Sequence, residues 1–255
     1  MYALALAAAS AAFIWWFATG ALLLIDRRAE RTFARSMTCA TLLLPLVLLW
    51  MHLSAGGTGA GAAYAGFGAA ILFWAWLELS FLLGYITGPR RHACASGCSG
   101  PRHFVHAAQA VIHHELALLA GGLLVAACTA QAPNRTALHA YLILFGMRLS
   151  AKLNLFLGVP NVGERFLPPH LRYLESFFRR RAMNALMPFS LLAGSVLTVL
   201  LTRAQLASTD AFHAASYGLL ASLAGLGVLE HALMVLPLRG ERLWQRLLGA
   251  PLGET

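Results

Sequence analysis

The chain has 255 residues and a formal net charge of +9, with 59% hydrophobic but only 11% charged residues. Soluble domains carry roughly a quarter charged residues, so this composition, with a mean hydropathy of +0.67, leaves too little polar surface for a water-soluble globule. The positive charge does not point to nucleic acid, because the basic residues fall in short runs between long apolar stretches, the pattern that membrane topology produces.

A helix needs about 20 mostly apolar residues to cross a hydrocarbon core of about 30 Å. The first such stretch, 3–25, lacks a basic leader and has too long an apolar run for a signal peptide, so it reads as an uncleaved span. Further spans are expected at 36–54, 62–87, 104–128, 138–157, 183–202 and 213–236. No strand alternation is long enough to suggest a barrel, and no internal repeat stands out. The expected fold class is therefore all-α: one polytopic membrane domain, a helical bundle of about seven transmembrane helices.

The connections between spans set the expected orientation. Arg27, Arg28, Arg31 and Arg35 lie between the first two spans, and Arg90, Arg91 and Arg102 between the third and fourth. Arg148, Lys152, Arg165, Arg172 and Arg179 to Arg181 belong to the fifth span and the connection after it, and Arg239, Arg242 and Arg246 to the tail. Only Arg135 and Arg203 of the 19 Lys and Arg fall on the other side. Basic loops stay cytoplasmic, so the N-terminus is expected outside and the C-terminus inside. The longest connection, Gly158 to Asn184, contains an expected interfacial helix at 169–181. Leu171, Leu174, Phe177 and Phe178 would face lipid, with Arg172, Glu175 and Arg179 toward water, and Arg179, Arg180 and Arg181 would meet anionic headgroups or a partner subunit.

Ionisable residues within spans are costly, which makes them functional candidates. They are Glu78 in the third span, His113, His114 and Glu115 in the fourth, Arg148 and Lys152 in the fifth, and Glu230 and His231 in the seventh. Each lies about 8–16 Å, at 1.5 Å per residue, from the expected cytoplasmic end of its span. Four helices thus bring polar groups to one slab. Successive helical residues point about 100° apart, so His113, His114 and Glu115 cannot all face one neighbour. Arg148 and Lys152 share a face and need an anion beside them. One reading is a structural ion-pair network. The other is a cofactor or metal site, with a Glu/His set holding a transition metal or a histidine as axial ligand to haem or to the magnesium of a chlorin. Proton or anion transport is a third, with Arg148 and Lys152 as the anion site.

The loop GPRRHACASGCSGPR (88–102) carries Cys94 and Cys98, flanked by His92 and His103. A tight structural turn accounts for the glycines and prolines; the residue types also suit a metal or redox role, and contact with lipid or a partner is the remaining reading. A stable disulfide is not expected on the cytoplasmic side. Trp15, Trp16, Trp74 and Trp76 lie inside their spans rather than in the interfacial belt, as packing residues or as aromatic walls beside a pigment. Phosphate-binding loops, dinucleotide fingerprints, nucleophile elbows and H-E-x-x-H pairs are missing from the sequence.

The run TGPRRHACASGCSGPRHF (87–104) with AVIHHELAL (110–118) resembles the photosynthetic complex assembly proteins, the PuhE-like proteins of purple phototrophic bacteria. FIWWFATGALL (13–23), MRLSAKLNLFLGVPN (147–161), FLPPHLRYLESFFRRRAMN (166–184) and VLEHALMVLPL (228–238) resemble the same family. Ala95 departs from the pattern, where proline is usual. The resemblance implies a non-enzymatic assembly factor for the reaction centre and its light-harvesting antenna, associated with bacteriochlorophyll supply. Implied partners are membrane lipids, subunits of those complexes or pigment-synthesis enzymes, and no nucleic acid. A tetrapyrrole or a transition metal is the cofactor to test for. The rivals are a membrane metalloenzyme liganded by Glu78, His113, His114, Glu115, Glu230 and His231, and a small transporter.

Overall fold

The computed structural model describes residues 2–164 and 167–236, and every regular element among them is helical. Seven helices are long and apolar enough to cross a membrane. They are α1 (Tyr2–Asp26), α2 (Phe33–Ala55), α3 (Ala60–Leu82), α4 (Gly100–Cys128), α5 (Thr136–Leu157), α6 (Leu186–Ala207) and α7 (Ala211–Val235). The architecture is a polytopic all-α bundle. Arg165 and the tail residues Arg239, Arg242 and Arg246 lie outside the described residues.

Helix α3 occupies the centre, in contact with α1, α2, α4, α5 and α7. Its sequence AGAAYAGFGAA explains why. Gly66 to Ile71 are buried without a break, and a helix buried all round has no polar stripe. Small residues let neighbouring backbones approach closely. A Cβ on Gly68 would sit 3.2 Å from the Trp50 ring of α2, and Trp74 meets Tyr141 of α5 edge-on at 5.2 Å. The outer helices instead expose Phe13, Phe17, Leu42, Leu46, Phe189 and Leu192, as lipid-facing surfaces do.

Asparagines fasten the ends. Asn134 donates to the carbonyls of Ser54 (3.0 Å) and Ala62 (2.8 Å), joining the α2–α3 turn to the α4–α5 loop. At the opposite end Asn184 donates to Gly158 (2.9 Å), and its side-chain oxygen accepts from the Leu186 and Met187 amides at the start of α6. Asn161 donates to the carbonyls of Leu233 and Leu236 at the end of α7. This second end carries Arg27, Arg28, Arg90, Arg91, Arg172 and Arg179 to Arg181, and the first carries Arg135 and Arg203.

Two helix boundaries differ from the sequence reading in ways that matter for the site. Helix α3 stops at Leu82, not 87, because the Tyr85 and Ile86 amides both turn back to the Ser80 carbonyl and Gly84 takes φ +80°. Helix α4 starts at Gly100, not 104, with Pro101 in its first turn, where the missing N–H costs nothing. The intervening loop is bonded to the middle of α4: the His114 amide donates to the Thr87 carbonyl (3.0 Å), and the Arg90 amide to the Gln109 carbonyl (3.3 Å).

The expected interfacial helix needs correction. Residues Pro169–Phe177 form a 3₁₀ segment, and Leu171, Leu174 and Phe177 are buried against Phe81 and Ala110 of the bundle rather than turned to lipid. Phe178 is also half-buried against protein. The apolar face had a protein neighbour to cover it, which is the cheaper partner for a segment tied down at both ends. His170 anchors it, with Nε2 2.9 Å from the Leu82 carbonyl.

Candidate functional site

Helices α3, α4 and α5 bring four charges together. The Glu78 Oε2 accepts from the Arg148 guanidinium at 3.0 Å, and Lys152 pairs with Glu115. The Lys152 ammonium also lies 5.6 Å from the centre of the Phe81 ring, within cation–π range. The i,i+4 cations on α5 are thus each answered by a carboxylate from a different helix, and the set is neutral. Buried charges persist when paired in this way.

His114 sits at the heart of this set and is fully buried. Phe81 lies against its ring at 4.6 Å between centroids, and Nε2 is 3.8 Å from Glu78 Oε1. Neither ring nitrogen has a hydrogen-bond partner. The bonded loop of residues 87–90 backs α4 at this level, which fixes where His114 and Glu115 point.

The other intramembrane candidates are not part of these pairs. His113 is exposed on the outside of α4, as the 100° rotation requires, and Glu230, although exposed on α7, lies within electrostatic reach of Arg148 and Glu78. His231 belongs to a second network between α5, α6 and α7. Its Nδ1 lies 2.8 Å from the Gly227 carbonyl, which can only accept, so Nδ1 carries the proton. Its Nε2 lies 2.9 Å from the Ser150 hydroxyl. Ser150 donates to Ser190 at 2.8 Å, Ser190 donates to the Leu186 carbonyl at 3.1 Å, and the Asn154 amide donates to Ser190 at 3.0 Å. Both nitrogens of His231 are therefore occupied. Ser150, Asn154 and Ser190 escaped the sequence reading because single hydroxyls and amides in a span carry no charge signal.

Beside this network a cavity of about 540 Å³ opens between α5 and α6, with apolar walls that include Leu142, Gly146, Leu197 and Leu201 and with Ser150 and Ser190 at one end. A smaller cavity of about 240 Å³ lies at the basic end, among Glu30, Arg91, Thr87, His170 and Tyr173. Neither is lined by His114 or His231.

In the α3–α4 loop the structure keeps Cys94 and Cys98 together but changes their histidine. His106 Nδ1 lies 3.3 Å from the Cys94 sulfur and 3.4 Å from the Cys98 sulfur. His92 is exposed, and His103 is buried between Phe156 and Phe177. His106 was hidden from the sequence reading because the span was placed at 104 and the residue fell inside it. The Ser-Gly-Pro run at 99–101 signals the earlier start that puts His106 under the loop. The hydrogen bond that Cys98 shares with Cys94 raises the Cys98 thiol above its ordinary value, with burial adding to it.

The arginine run is only partly available to lipid. Arg179 lies over the Phe156 ring at 5.5 Å, Arg180 pairs with Glu164, and the Arg181 stem covers Gly158. Arg180 and Arg181 are exposed. Among the tryptophans, Trp74 is buried in the central core, and Trp76 donates to the Thr41 hydroxyl at 3.1 Å.

A family model described as "Protein of unknown function (DUF3623)" matches residues 1–252. The chain belongs to this family. It is 38% identical over 251 residues to the "Uncharacterized 30.4 kDa protein in puhA 5'region" of Rhodobacter capsulatus, an alignment covering 95% of this chain and 90% of that relative. No solved structure matches the chain.

Proposed function

We propose that this protein is a membrane-embedded assembly factor for the photosynthetic reaction centre and its light-harvesting antenna, acting by holding partners rather than by catalysis. The observation that carries the reading is the near-full-length identity to the Rhodobacter capsulatus protein, whose gene neighbourhood is a photosynthesis gene cluster. The basic end supplies the docking side: the thiol-bearing loop, the 3₁₀ segment and the exposed Arg172, Arg180 and Arg181 share it. By the charge asymmetry this end faces the cytoplasm and the N-terminus faces outward, in the bacterial inner or intracytoplasmic photosynthetic membrane, where anionic lipid complements the arginines.

The buried charges support a structural role within that function. Arg148 and Lys152 already hold carboxylates, so no vacant anion site favours transport. A metalloenzyme would need ligands that are instead salt-bridged (Glu78, Glu115), hydrogen-bonded (His231) or exposed (His113, Glu230). A tetrapyrrole does not fit inside the bundle either, because His114 is fully buried and lines neither cavity and Nε2 of His231 lies against the Ser150 hydroxyl. His113, exposed on α4, is the intramembrane imidazole open to a pigment carried by a partner.

Affinity-tagged chain, purified in mild detergent from phototrophically grown membranes, should carry reaction-centre or antenna subunits. An eluate enriched in neither, from membranes that contain both, overturns the proposal. The visible and near-infrared spectrum of the same eluate reports whether pigment accompanies the partner.

A further inference from the structure

We propose that Cys94, Cys98 and His106 form a zinc site that locks the α3–α4 loop onto the first turns of α4. The three donor atoms lie within 4.8 Å of one another. Zinc binds thiolate sulfur at about 2.3 Å and imidazole nitrogen at about 2.0–2.1 Å, and around a tetrahedral ion those bonds set the sulfur–nitrogen edge at about 3.5 Å. The two sulfur–nitrogen separations are 3.3 and 3.4 Å. Both sulfur–nitrogen edges are thus close to their liganded length, and the two sulfurs, within 4.8 Å of each other, need only close toward a tetrahedral edge of about 3.8 Å.

The local chain is built to hold this arrangement. Gly97, at φ +84°, turns the chain between the two cysteines, and the Cys98 amide closes the turn on the Ala95 carbonyl at 3.2 Å. The Cys94 amide donates to the Ser176 hydroxyl at 2.9 Å, which fixes the first ligand to the 3₁₀ segment. His106 projects from a continuous helix, so its position is set by α4 rather than by the loop.

The balance of the binding step is simple. Zinc replaces the two thiol protons, which pass to solvent, and takes the Nδ1 lone pair of a histidine whose proton sits on Nε2. Two thiolates neutralise the ion, and three protein ligands leave a fourth position for water. The inference stands on the donor geometry alone and is independent of the assembly role. Its consequence for the molecule is a rigid loop next to the 3₁₀ segment, on the basic end.

Full-length protein purified in detergent without chelator should contain about one zinc per chain by elemental analysis. Cys94→Ser, Cys98→Ser and His106→Gln should each lose most of that zinc, whereas His92→Gln should keep it. Metal-stripped wild type titrated with cobalt(II) should develop the visible bands of a tetrahedral thiolate site, a readout that does not depend on how well the variants fold. Wild type that takes up neither zinc nor cobalt overturns the site, as does a Cys94–Cys98 disulfide in protein purified from a reducing cytoplasm. Zinc retained at full occupancy in His106→Gln overturns the assignment of the third ligand.

Discussion

Replacing Glu78 by glutamine tests whether the central charges hold the bundle. The carboxylate is buried, 3.0 Å from an Arg148 guanidinium whose side chain is 33% exposed. At that separation and an effective dielectric of about 20, the pair attracts by roughly 5–6 kcal/mol before desolvation is counted. Desolvation of both groups consumes much of this, and the partial exposure of Arg148 screens more. Removing one partner of a buried pair nonetheless costs about 3–5 kcal/mol, because the other charge stays behind unpaired. Glu78→Gln is placed at the lower end, about 3 kcal/mol, since Arg148 can reach outward. Arg148→Gln should cost a similar amount, and the double variant should cost much less than the two added together. The measurement is a double-mutant cycle from reversible unfolding in mixed micelles, with helicity as the signal. Single variants within about 0.5 kcal/mol of wild type, or additive costs, would refute the claim that the pair is structurally coupled.

Glu115→Ala strands the Lys152 ammonium and should also lower stability by about 3 kcal/mol, with accumulation in the membrane reduced; normal accumulation and an unchanged unfolding midpoint would count against it. Gly88→Ala would drive a Cβ to 2.1 Å from the Gln109 carbonyl oxygen and 2.7 Å from the Ala110 backbone, so loop and helix must part at a cost of about 3 kcal/mol, visible as faster amide exchange around His114. Asn184→Ala removes the bonds to Gly158 and to the start of α6, and a midpoint lowered by about 1–3 kcal/mol is expected; a neutral result would show that water replaces them. Asp210 caps α7 through the His213 amide at 2.9 Å, and that bond holds its carboxyl below the ordinary 3.8. Its contribution is therefore complete above that ordinary value and lost as pH falls through the lower folded value. Asp210→Ala should be less stable than wild type at neutral pH and converge with it in acid, and a pH-independent difference would refute the cap.

The seven spans could be read from the sequence because each is a local quantity: an apolar run long enough to satisfy its own backbone across a bilayer. The 169–181 stretch shows where that reading stops. Its alternation of apolar and charged residues established one apolar face, but whether lipid or protein covers that face depends on a neighbour distant in sequence. Phe81 and Ala110 supplied it.

The candidate site follows the same division. Sequence alone determined which residues are ionisable within spans and that His113, His114 and Glu115 cannot all face one neighbour, because rotation per residue is a fixed property of the helix. Tertiary structure decided the partners. Helix order set Glu78 against Arg148 and Glu115 against Lys152, turned His231 toward Ser150, and left Glu230 without a salt bridge at the edge of the set, within electrostatic reach of Arg148. It also replaced His92 and His103 by His106 beside the two cysteines. The charge and His231 pairings are contacts across helices, set by packing that no single span encodes, whereas the His106 contact follows from where α4 begins.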